Sequence, residues 1–337
     1  MCQRLFSGFR NAIFLSAIPF FCVTFFPKDI IVNGQILPDN TLGSERSVIN
    51  SVTRTRSEIN GGASRGSNLF HSFQEFNVRE NASVYFANPD GIRNILSRVT
   101  GSNPSNIFGR LGVLGEANLF LINPNGIIFG PNASLDINGS FLATTANQIQ
   151  LGENGFFSAT QPQDNPLLSI NPSALFFNSL NPPSSPNNPA IINQSTANEV
   201  GLQVPSGRTL GLVGGNVVLD GGILTVPQGR IELGSVAPNT LIPLNLVNTG
   251  YALNFAEVDN FQDIRFSNGA LINTSGAGSG SIQIHGRQIS LTEGSVIAGN
   301  TLGSEPGGDL AITAERLILA DGSSIATRLL GSGQGGT

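Results

Sequence analysis

The 337-residue chain has no tryptophan, one methionine, and two cysteines that both fall in the first 27 residues, Cys2 and Cys22. Beyond that segment neither a disulfide framework nor a cysteine metal site can support a fold. Lysine occurs once, as Lys28, and charged residues make up only 12% of the chain, about half the usual share. Soluble faces must therefore be built from Ser, Thr, Asn, Gln and Gly. A formal net charge of −5 gives no basic footprint, which argues against a nucleic-acid partner. Apolar spacing at i, i+3, i+4 never persists, so helices are not the main material.

Catalytic signatures are missing as well. There is no Gly-x-Ser-x-Gly, no phosphate loop and no Cys–His pairing. The 22 acids are scattered, with Asp259 and Asp263 a local pair that reads as solvated loop acids. His71 lies between Phe70 and Phe73 and reads as structural. His285, in Ile284-His285-Gly286-Arg287, is matched by Thr313 one repeat later, which marks an ordinary outward strand position. No catalytic residue, metal ligand set or cofactor site is expected.

What the chain does have is apolar content of 39%, 41 Gly and 19 Pro. Such a chain can bury a large core while turning often. Residues 1–27 differ from the rest. Arg4 and Arg10 precede AIFLSAIPFFCVTFF (12–26), fifteen residues with no charge. A basic region followed by a short apolar run describes an export signal, too short for an ordinary membrane span.

The C-terminal third is periodic. GSIQIHGRQISLTEGSV (280–296) lines up with GDLAITAERLILADGSSI from Gly308 at an offset of 28. Short alternating strands, such as Ile282 with Ile284 and Ile289 with Leu291, are separated by Gly-containing corners. Alternation of period two puts one face in and one face out. A hairpin sandwich would also give short strands between turns, but not a fixed 28-residue unit holding about three of them. A coil of a right-handed parallel β-helix does. The expectation is an all-β solenoid with N-terminal capping strands and extra-helical hairpins or loops. Leu310, Ile312, Leu317 and Leu319 should stack above Ile282, Ile284, Ile289 and Leu291. Along the chain, the expected organisation is a signal peptide over 1–27, a first β-helix part over 28–160, and a Pro/Asn-rich loop excursion over 161–200. Coils with 25–28-residue repeats then continue over 201–337, apparently cut off inside a repeat.

Two similar turns stand out. LFLINPNGIIFG (119–130) splits an apolar run with Asn123-Pro124-Asn125-Gly126, and VYFANPDGI (84–92) does the same with Asn88-Pro89-Asp90-Gly91. Pro presets φ at the second position and Gly takes a positive φ. Each is either a sharp corner between two sides of a coil or a projecting hairpin tip.

NPNGIIFGPNASLDINGSFLATTAN (123–147), with NLFHSFQEFNV and ANPDGI before it, resembles the filamentous haemagglutinin N-terminal domain, the secretion domain of two-partner secretion exoproteins. DNTLGSERS, ILSRVTGSNPSNIFGRL and GRIELGSVA are similar to its cyanobacterial branch. The resemblance covers roughly residues 30–237. It implies an exported, non-enzymatic exoprotein of the haemagglutinin or adhesin type, released through the periplasm and outer membrane to the cell surface or the medium. Its implied partner is an outer-membrane transporter with periplasmic docking domains, and beyond that a surface carbohydrate or cell receptor. The family's NPNGI motif falls on Asn123, Pro124, Asn125, Gly126 and Ile127. Its second motif, Asn-Pro-Asn-Leu, has its nearest counterpart at Asn103-Pro104-Ser105-Asn106, a departure from the pattern. The alternatives are a β-helix enzyme acting on carbohydrate, which would cluster acids on one face of adjacent coils, and a self-assembling surface-layer component.

Overall fold

A computed structural model describes residues 36–163, 167–178, 190–247 and 250–336. The expected leader, residues 1–27, lies outside the described residues. The described residues form chiefly a stack of three-sided coils whose strands pair in parallel with the coil before and the coil after. The longest side is a ten-stranded sheet and the second side has seven strands. The third side is split into two sheets of five. Among the described residues the only helical turns are two three-residue 3-10 segments.

Register explains the core. On the long face, Leu69 pairs with Ile95, Ile95 with Leu119, and Leu119 with Phe141. The row continues through Leu210 and Ile231 to Ile282. Each of these side chains points inward and is buried, so like stacks on like and one apolar column runs the length of the described solenoid. Ile282 pairs with Leu310, Ile284 with Ile312, Ile289 with Leu317 and Leu291 with Leu319, the stacking that the 28-residue offset predicts.

The first edge is closed by antiparallel strands. Ile36–Pro38 and Ala63–Arg65 both pair with Asn68–Phe76, and Ser47–Ser51 pairs with Arg56–Gly61. Pro38 and a bulge beside it keep the outermost strand from templating another.

The long face is buried on both sides. Its outward row of Phe70, Leu96, Phe120 and Leu142 packs under a separate five-stranded sheet, in a second core with Phe157, Leu175, Ile242 and Tyr251. This outer sheet is antiparallel, running Gly155–Ser158, Gln148–Leu151, Pro172–Phe177, Thr240–Val247, Gly250–Leu253 in spatial order. Strands covered on both faces read as unbroken apolar runs, as in NLFLI and TLGLVG, whereas SIQIH and QISL alternate.

Three expectations are corrected here. Residues 161–200 are not only a loop excursion: Pro172–Phe177 belongs to the outer sheet, and Ala190–Asn193 is a coil strand on the second face. Within 201–337 the coils are interrupted, because Thr240–Val247 and Gly250–Leu253 complete the outer sheet. Inserted strands alternate like coil strands, so period two alone cannot assign a strand to its sheet. His285 points outward as expected, yet its position is not an ordinary exposed one. The second insertion folds over it and stacks Phe255 on its ring, centroids 4.3 Å apart.

Candidate functional site

The Asn-Pro-Asn-Gly turn is a corner of the coil. It joins Asn118–Ile122 on the long face to Ile127–Phe129 on the second face. The preceding coil turns at the same corner through Gly101–Pro104, between Asn94–Val99 and Ser105–Ile107. The second candidate motif, Asn103 and Pro104, is therefore brought directly against the first.

The side chain of Asn123 carries most of that contact. Its Nδ2 donates to the Asn103 carbonyl and to Ser105 Oγ, both at 3.0 Å. Its Oδ1 accepts from the Asn125 backbone N–H at 3.0 Å and from Asn125 Nδ2 at 3.1 Å. Asn125 Nδ2 also donates to the Gly101 carbonyl at 2.8 Å. Upward, the Asn123 N–H donates to the Thr144 carbonyl at 3.0 Å. A side-chain amide can donate twice downward and accept within its own turn at once, which a hydroxyl with one hydrogen cannot, and this accounts for asparagine here.

Gly126 closes the turn. Its N–H donates to the Asn123 carbonyl at 3.1 Å, and its φ of +117° lies where a Cβ is strained. A Cβ there would also stand 3.0 Å from the Ala190 carbonyl oxygen, where the chain re-enters the column after the first insertion. Asn123, Pro124, Gly126 and Ile127 are buried and Asn125 is half-buried. Asn103 is exposed and hydrogen-bonds to Glu75, while Pro104 is half-buried.

The other turn, Asn88-Pro89-Asp90-Gly91, sits at a different corner, between Ser83–Ala87 on the third face and Asn94–Val99 on the long face. Asn88 Oδ1 accepts from the Ala117 N–H in the next coil at 2.9 Å. Pro89, Asp90 and Gly91 are exposed, and a Cβ on Gly91 would meet nothing within 4 Å. Similar sequences thus make one sealed corner and one open corner. Both insertions that build the outer sheet leave from the sealed side, after Thr144 and after Ser235, one and three coils above Asn123.

Sequence reasoning missed a set of buried polar groups around the outer sheet. Arg98, 1% exposed, sits on the outward side of the long face between Phe157 and the cap. Burial lowers its pKa to about 10, partly offset by Asp39, so it stays charged near neutrality. Burial raises the pKa of Asp39, but hydrogen bonds from Thr100, Thr41 and Ser72 outweigh this and hold it below the usual value. An asparagine ladder runs beside them: Asn118 donates to Asn94 and Asn94 donates to Asn68, each at 3.0 Å, and Tyr251 Oη donates to Asn94 Oδ1. The 26- and 24-residue spacing of these Asn is a signal the sequence did carry.

Burial also shifts His71, His285 and Glu232. His71 is buried between Phe73 and Phe86 with Ser47 on its Nδ1, and burial lowers its pKa to about 3. Burial under the second insertion lowers that of His285 to about 4. Burial raises the pKa of Glu232 to about 7, against the pull of Arg230 at 3.0 Å. The exposed pair of Asp263 and Arg287 bridges two coils, and Asp259 takes no part in it. Among the described residues no three His, Cys, Asp or Glu side chains converge as a metal site would need.

A family model described as TPS secretion domain matches residues 34–312. Of solved structures, the HMW1 secretion domain from Haemophilus influenzae aligns over 88% of this chain and 74% of its own, with a TM-score of 0.54 and 20% identity. That likeness is one of fold. The filamentous hemagglutinin secretion domain aligns over 89% of this chain and 98% of its own, with a TM-score of 0.41 and 16% identity. A heme/hemopexin-binding protein of Haemophilus influenzae is 37% identical over 83 residues, which are 25% of this chain and 9% of that protein. The matched stretch is thus a small part of that relative.

Proposed function

Since the chain belongs to the two-partner secretion domain family, and is thereby an exoprotein that leaves through the outer membrane for the cell surface or the medium, we propose that its capped column is the address read by a dedicated outer-membrane transporter, and that Asn123–Ile127 keeps that address in shape. The observation that carries this reading is the burial of the motif. A side chain 0% exposed, bonded to the coil below and to its own turn, offers little to a docking partner. What it does is set the angle between the long and second faces, where the first insertion departs and returns.

The transporter's periplasmic docking domains would meet strands, and a docking partner that adds strands to a domain depends on where that domain's strands lie. A distorted corner misplaces Asn118–Ile122 and Ile127–Phe129 and weakens docking. In a strain carrying the cognate transporter, Asn123→Ala and Gly126→Val are expected to accumulate in the periplasm. Gly91→Val, at the open corner, should lose secretion only in proportion to its smaller loss of stability. Undiminished secretion of both sealed-corner variants would overturn the role given to the motif.

We read the exoprotein as non-enzymatic and of adhesin type, with a surface carbohydrate or cell receptor as its outside partner. In support, three of the groups most shifted from their ordinary pKa values, His71, Arg98 and Glu232, are sealed in the column or beneath the outer sheet, out of reach of a substrate; the fourth, His285, is half-buried against Phe255. Adherence of cells to the purified full chain, competed by added glycans, tests this part. Turnover of a polysaccharide by the same preparation would contradict it.

A further inference from the structure

We propose that Arg98 is a positioning residue that makes closure of the N-terminal cap and seating of the outer sheet a single event. The guanidinium reaches three separate parts of the molecule. Its Nε donates to Ser72 Oγ on the long face at 2.8 Å. One terminal nitrogen donates to the Ser158 carbonyl at the end of an outer-sheet strand at 2.7 Å. The other donates to Thr41 Oγ1 in the cap at 2.8 Å and to the Pro162 carbonyl beyond the outer sheet at 3.2 Å. Its Cζ lies over the Phe157 ring, 4.4 Å from the centroid.

The cap side is wired into the same group. Thr41 Oγ1 and N–H, Ser72 Oγ and Thr100 Oγ1 all donate to the two carboxylate oxygens of Asp39, at 2.6 to 2.9 Å. Arg98 and Asp39 are thus held by shared hydroxyls rather than by direct contact. A buried cation with a forked donor set is tolerable only when its acceptors are in place. Lifting the outer sheet removes Ser158 and Pro162, and opening the cap removes Thr41. Either loss leaves the same guanidinium underbonded and so favours the other. The cap and the outer sheet, which Arg98 joins through Thr41 and Ser158, 117 residues apart in sequence, open together. A transporter holding the cap open would therefore also keep the outer sheet unseated; that consequence rests on the transporter reading above, while the coupling itself does not.

Amide hydrogen exchange on the full chain tests the coupling without the transporter. Thr41 hydrogen-bonds to Asp39, Ser72 and Arg98, none of them in the outer sheet. Thr41→Val should nonetheless speed exchange at outer-sheet amides such as that of Ala159 by about tenfold, leaving amides in Ser281–His285 unchanged. In an Arg98→Met background the same cap change should add nothing at Ala159. Arg98→Lys, which keeps the charge but not the fork, should behave like Arg98→Met. If Thr41→Val leaves the outer sheet as slow as before, the proposal fails, and this single variant decides the matter even if Arg98→Met does not fold. An undiminished effect of Thr41→Val without Arg98, or full rescue by lysine, would also overturn it. Failure of any secretion experiment bears on the transporter reading and not on this one.

Discussion

At the scale of residues, two similar four-residue turns do unequal work. Gly126 and Gly91 both adopt positive φ, +117° and +82°. Valine at either should strain the backbone by about 1–3 kcal/mol. Only at Gly126 does the added Cβ also press on a carbonyl, that of Ala190 at 3.0 Å. The expected result is a lower urea midpoint for Gly126→Val than for Gly91→Val, with equal m-values. Asn123→Ala should cost about 2–4 kcal/mol, since it leaves the Asn103 carbonyl and the Asn125 N–H without their partner in a buried corner. A midpoint within error of the unmodified chain would contradict the corner geometry. The turn itself was legible, because Pro followed by Asn-Gly between apolar runs has few other uses. Its burial was not. The sequence around Asn123 looks like that around Asn88, and what seals the first is the strand Ala190–Asn193, which begins 67 residues after Asn123. Arg98 was equally hidden: an arginine in ILSRVT reads as an exposed strand residue until Ser158 and Pro162 are seen to cover it.

At the scale of elements, alternation and the 28-residue offset led to the right stacking, Ile282 on Leu310 and Ile289 on Leu317. They did not separate coil strands from outer-sheet strands. Gln148–Leu151 and Thr240–Val247 alternate as coil strands do, and only their antiparallel partners distinguish them. The unbroken apolar strands were a partial clue, since a strand such as Asn118–Ile122 needs cover on both faces. The outer sheet rests on the outward side of the long face through Phe120 and Phe157. Phe157→Ala should cost about 3–5 kcal/mol. Because each coil chiefly contacts its neighbours, the loss should fall on residues 148–177 and the strands beneath them. Limited proteolysis is expected to cut first within 148–177 in this variant. First cleavage within the coils of 264–298 would argue against a separately seated layer.

At the scale of the whole molecule, stability should respond to pH from two opposite sides. His71 has a folded pKa of about 3 against 6.5 unfolded, so the unfolded chain takes up its proton first. Stability is lost as pH falls below about 6.5, down to the folded value. Glu232 runs the other way. Its folded value of about 7 stands above the ordinary 4.5, so stability is lost as pH rises from about 4.5 towards 7. Glu232→Gln should therefore gain stability relative to the unmodified chain more at pH 8 than at pH 4, read from urea midpoints at the two values. An equal difference at both would refute the burial of an ionising carboxyl. The central claim, that a capped column shaped at the Asn123 corner is what the transporter reads, is met most directly by secretion itself. The measurement is the share of each variant in the medium against the periplasm, set beside its urea midpoint, for Asn123→Ala, Gly126→Val and Gly91→Val with the cognate transporter present. The account predicts that the two sealed-corner variants are retained in the periplasm, with Gly91→Val falling between them and the unmodified chain. Full secretion of Asn123→Ala and Gly126→Val, despite a measured loss of stability, would contradict it.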